Sequence, residues 1–110
     1  MIRNTLFRSN DTLGHMGWYW VACGLAMKLQ ALIKAYYAVS KEGMSQDGLK
    51  AIRDMVDDVR ELLSFACLEH DRLLDEYDPA NDCEPLRYSQ SIALAIEAYE
   101  SLYENDGGLE

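Results

Sequence analysis

Cys67 and His70 stand three residues apart, a spacing that puts a thiol and an imidazole on one helical face as half of a tetrahedral zinc site. The other half would have to come from Cys23, Cys83, His15 or a second copy of the chain, and no paired-cysteine spacing offers it. A neutral, hydrogen-bonded core histidine is therefore the expectation at position 70, with no metal and no cofactor. Glu69-His70-Asp71 assembles acid–base groups, but neighbours on a helix point about 100° apart and do not converge. The Glu-x-x-His pattern of carboxylate-bridged metal bundles also fails, because Cys67 occupies the glutamate position. Asp75, Asp78, Asn81, Asp82 and Glu84 gather oxygen ligands in one stretch. They lack the alternate spacing and central glycine of a helix–loop–helix calcium site.

Arg8 and His15, seven apart, resemble the arginine–histidine pair of HEPN-class helical nucleases, with Ser9 and Asn10 in place of the polar residue that follows the arginine there. The resemblance covers this pair alone, and in that class the pair lies late in the chain. It implies a nuclease only through these two side chains, and a non-enzymatic protein is the expectation.

Charge is the more informative feature. The 110 residues carry a net charge of −9. Residues 1–53 hold seven basic and three acidic groups, a net of +4, whereas residues 54–110 hold three basic and sixteen acidic groups, a net of −13. A nucleic-acid binder would show a basic stripe, so direct nucleic-acid binding is not expected. Asp54, Asp57, Asp58 and Glu61 cluster in one predicted helix, and Glu97, Glu100 and Glu104 in another. Asp54 and Asp58 are like charges four apart, which costs a helix a few tenths of a kcal/mol. Laid side by side, such carboxylates would imitate a phosphate backbone, with one charge per ~1.7 Å of duplex axis, and would suit a basic partner surface. A solvated face that keeps the protein soluble is the plainer alternative, although −13 exceeds the magnitude of about 2–8 that solubility asks of a small domain.

The elements that position these groups are helices. Leu49, Ile52, Val56, Val59, Leu63, Ala66, His70, Leu73 and Tyr77 recur in steps of three and four, one stripe of a long helix. Ser45 is its expected N-cap, and Pro79 follows its end. Before it, the spacing predicts a helix over about 12–40, capped by Asp11 or Thr12 and ended by Gly43. Its main stripe is Trp18, Val21, Ala22, Leu25, Leu29, Leu32, Ile33 and Tyr36, yet apolar residues surround most of the cylinder, so burial on more than one side is expected. Gly17, Gly24, Ala31 and Ala38 repeat every seven residues and let another backbone approach, either within the chain or as a homodimer seam. A third helix is expected over about 85–103, capped by Asp82 or Glu84, with Tyr88, Ile92, Ala95, Ile96, Tyr99 and Leu102 or Tyr103 inward. The seven tyrosines divide between core and binding anchors.

These features predict one all-α domain over 1–110, a three-helix antiparallel bundle with two long helices paired into a homodimer, an N-terminal arm over 1–10 and a flexible tail over 105–110. Three unpaired cysteines suggest a reducing compartment, and no apolar run spans a bilayer, so a cytoplasmic protein without membrane contact is expected. In size, acidity and helicity the chain resembles the small proteins that phages and mobile elements use as inhibitors, among them anti-CRISPR proteins and DNA mimics. That resemblance implies an acidic module occupying the basic, nucleic-acid-binding surface of another protein. The alternatives are an immunity protein against a basic nuclease toxin and a helical dimerisation adaptor.

Overall fold

Ser45 stops the chain from continuing straight into the second long helix. Its extended backbone and hydroxyl, which accepts the Gly48 N–H at 3.2 Å, make it the N-cap of α2, Gln46–Tyr77. The computed structural model describes the backbone of residues 2–43 and 45–109 and the side chains of 13–43 and 45–104. Three α-helices and one 3₁₀ turn make up the described fold, with no strand among the described residues: α1 (Ile2–Lys41), α2, the turn Leu86–Tyr88, and α3 (Gln90–Leu109).

The α2 stripe is the interior face. Val56, Leu63, Ala66 and His70 are buried, Cys67 joins them, and Ile52, Val59 and Leu73 are partly buried beside them. Tyr77, at the end of the stripe, is exposed. From α1 the core receives Trp18, Ala22, Ala26, Leu29, Leu32 and Ile33, and from α3 Ile92, Ala95 and Leu102. Val21, expected in the α1 stripe, instead lies on its exposed margin. The two long helices pack against each other, and α3 rests on α1 with a smaller contact. The molecule measures 50 × 35 × 19 Å, so its thin dimension is about two helix diameters. A slab of that thickness leaves every long helix one face without cover.

Three boundaries differ from the sequence reading. Helix α1 begins at Ile2, ahead of the expected cap at Asp11 or Thr12, and residues 2–10 of the arm expected over 1–10 are helical in their backbone. Its interruption falls at Gly14, whose φ of 65° and ψ of 180° are conformations that a side chain disfavours. Just beyond, Leu13 lies so close to Gly17 that a Cβ there would meet the leucine side chain at 2.7 Å. Helix α3 begins at Gln90 rather than near Pro85 and runs to Leu109, through most of the expected tail. The cause lies fifteen residues upstream: Leu86 is buried and donates its N–H to the Asp71 carboxylate at 3.0 Å, which docks residues 86–88 as a separate turn. Neither Asp82 nor Glu84 begins this helix; Ser89, in extended conformation, precedes it and accepts the Ala93 N–H at 2.8 Å. Gly43 has a left-handed φ of 82° after Lys41, as its place at the helix end predicts.

Candidate functional site

Side chains join α2 to α3. Tyr99 donates its hydroxyl to Asp57 at 2.9 Å, Arg53 lies 4.5 Å from the Tyr103 ring centre, and Arg60 lies 5.7 Å from that of Tyr99. The two helices therefore share one side of the molecule. Asp57, expected on a free acidic face, is instead half-buried in this seam as a hydrogen-bond acceptor. Burial first, and then the Asp57 carboxylate, push the Tyr99 hydroxyl up to about 12. A tyrosine that holds its proton more tightly when folded contributes stability below pH 10 and loses it as pH rises toward 12. Stability measured at about pH 9 and about pH 11 should fall across that window. Tyr99→Phe should flatten the fall, and an unchanged slope in that variant would contradict the assignment.

The other acids divide between two surfaces. Asp54 is exposed and paired with Lys50 at 3.0 Å, a contact worth little in water. Asp58 and Glu61, with Leu62 and Phe65, line a depression on the outer face of α2. Glu97 and Glu100 line a groove between α2 and α3 together with Arg60, Arg87 and Tyr88. Glu104 is exposed near the end of α3. Four large apolar side chains stand among the α2 acids: Met55, Leu62, Phe65 and Leu68 are 47%, 53%, 46% and 69% exposed. Sequence reasoning missed them because they fall off the interior stripe and look like scattered apolar residues. The available signal was their recurrence at 55, 62, 65 and 68, beside the acids rather than opposite them.

The small-residue line of α1 faces outward for most of its length, with Gly24, Ala31 and Ala38 exposed. Gly17 differs, since its missing side chain makes room for Leu13 of the same chain.

Cys67 and His70 have separate surroundings. His70 Nδ1 lies 2.9 Å from the Asp71 carboxylate, and its ring neighbours those of His15 and Tyr19. Cys67 faces a cleft beside the 3₁₀ turn, where burial above all pushes its thiol up to about 11. Such a thiol is neutral near pH 7. Among the described residues, no group of three or more His, Cys, Asp or Glu gathers around a possible metal position. His15 stacks on Tyr77 with ring centres 4.9 Å apart, while the Arg8 side chain lies outside the described residues. Three of the five ligand-type residues of this stretch, Asp75, Asp78 and Asn81, bond within it. Asp78 accepts from Ala80 N–H, and Asn81 donates to Asp75 and to the Asp78 carbonyl while accepting from Cys83 N–H.

Among the described residues, no helix is long and apolar enough to cross a membrane. No family model matches the chain, and no curated protein or solved structure is significantly similar to it.

Proposed function

We propose that the chain is a non-enzymatic protein-binding module that engages a basic protein surface through the outer face of α2. The observation that carries this reading is the mixture on that face: half-exposed Met55, Leu62, Phe65 and Leu68 interleaved with Asp54, Asp58 and Glu61. Protein interfaces combine an apolar centre with a charged rim. Carboxylates alone would serve solubility, and apolar side chains alone would invite aggregation. Together, the acids draw a basic surface in and the apolar groups hold it. Proteins that handle nucleic acid carry such surfaces, so an inhibitor that occupies one, or an immunity protein that caps a nuclease, is the role proposed. The test is capture of a basic protein by the wild-type chain and its loss when Asp54, Asp58 and Glu61 become Asn, Asn and Gln. Equal capture by both chains would contradict the reading.

A homodimer is proposed on a separate observation. Trp20 and Met27 are 67% and 72% exposed on the face of α1 that also carries Gly24 and Ala31. Among the described residues, nothing beyond its own helical turn stands within 4 Å of a Cβ placed at Gly24. Gly24→Leu should therefore leave the single chain folded, helped by about 0.8 kcal/mol of helix propensity, and should clash only across a seam. Sedimentation at micromolar concentration should show a dimer for wild type and a monomer for the variant. A variant that remains dimeric would place the seam elsewhere.

A further inference from the structure

We infer that the cleft between α2 and the 3₁₀ turn binds a small organic carboxylate with an apolar body, its charge held between Arg60 and Arg87. The cleft has a volume of about 280 Å³, and Leu68, Pro85 and Ile96 form its apolar walls over the buried Leu63. Both arginines and Ile96 also line the adjoining groove, so the guanidiniums stand where the two compartments meet.

The pairing of these arginines is the unusual feature. Residues 54–110 hold sixteen acids, yet among the described residues neither guanidinium is in an ion pair. Arg60 donates to the Ser64 hydroxyl and approaches the Tyr99 ring, while Arg87 donates to the Tyr88 hydroxyl and lies 4.7 Å from its ring centre. Arg72, the remaining basic group of this half, shows the ordinary arrangement, bracketed by Glu69 at 2.7 Å and Glu76 at 3.0 Å. The Nε of Arg60 is buried and has no acceptor among the described residues. A buried cationic donor without an acceptor is costly. Asp71 also lines the cleft, and its Oδ1 accepts the Leu86 N–H and lies 2.9 Å from His70 Nδ1.

The surroundings select the class of anion. Glu97 and Glu100 line the adjoining groove and repel a multiply charged ligand such as a nucleotide. A singly charged carboxylate keeps the attraction of two guanidiniums with the least repulsion. The neutral Cys67 thiol adds apolar surface and no competing charge. A cleft near the small end of ligand sites suits a body of about ten non-hydrogen atoms.

The full chain, labelled with nitrogen-15, would be titrated with octanoate, 1-octanol and inorganic phosphate. Octanoate should shift the amides of Ser64, Cys67, Leu68 and Arg87 saturably, with a dissociation constant on the order of 1 mM or tighter. Octanol and phosphate should each bind at least about tenfold more weakly, since each supplies only half of what the cleft recognises. Arg87→Gln, at an exposed position whose described contact is Tyr88, should fold normally and weaken octanoate by about tenfold or more. The inference is overturned if octanoate gives no saturable shift at these amides. It is equally overturned if octanol or phosphate binds as well as octanoate, or if Arg87→Gln binds octanoate like wild type.

Discussion

Leu63→Ala should lower the stability of the fold by about 3 kcal/mol, whereas Leu62→Ala, one residue earlier, should change it by less than about 0.5 kcal/mol. Leu63 is fully buried in the common core, and Leu62, about 100° around the same helix, is half-exposed. The same chemical deletion thus leaves a cavity at one site and removes solvated surface at the other. Urea denaturation followed by circular dichroism measures both. For a domain of this size the Leu63 variant should also melt roughly 10–20 °C lower. Similar losses in the two variants would mean that the inner and outer faces of α2 are wrongly assigned.

The second large effect concerns binding. Phe65→Ser should weaken capture of the partner by roughly 30-fold, the consequence of losing an anchor worth about 2 kcal/mol. Phe65 sits beside Leu62 in the depression rimmed by Asp58 and Glu61, so it occupies the middle of the proposed contact. It also stacks edge-on against Trp18 with ring centres 5.6 Å apart. Leu68→Ser is therefore the companion variant: Leu68 is the most exposed of the four apolar groups, and its loss should weaken binding with stability unchanged. Neutralising the acids should act differently. It should slow association at low salt, with an effect that shrinks as salt screens charges beyond about 8–10 Å. If both serines leave capture intact, the apolar residues of this face are not the contact.

What the sequence disclosed, and what it withheld, follows from the range of each interaction. The α2 stripe was legible because Val56, Leu63, Ala66 and His70 repeat the helical period and face one core along the whole element. Ser45 and Gly43 were legible because caps are local. Gly14 was not: one glycine inside a helical pattern signals either tolerance or a break, and only its positive φ decides. Pro85 resembled the first residue of a helix, but the bond from Leu86 N–H to Asp71 detached that turn from α3. No local rule anticipates a contact across fifteen residues.

The acidic positions show the same limit. Helix periodicity identified Asp54, Asp58 and Glu61 as outward, and they are. It could not foresee that Tyr99 would take Asp57 into the α2–α3 seam, because the order of helices does not fix which faces meet. Nor could it pair Arg60 with Arg87 across a cleft. Their scarcity was visible, since with Arg72 they are the three basic groups of the acidic half, but their proximity comes only from the docking of the 3₁₀ turn.

The central claim is that the outer face of α2 binds a basic protein by charge and apolar contact together. The most direct measurement is capture from lysate at low and moderate salt with three immobilised chains: wild type, the variant with Asn, Asn and Gln at Asp54, Asp58 and Glu61, and Phe65→Ser. A single basic, nucleic-acid-handling protein should be retained by wild type at low salt, reduced by moderate salt, and lost from both variants. The same protein retained equally by all three chains at both salts would contradict the claim and leave the acids of α2 as a solvated face.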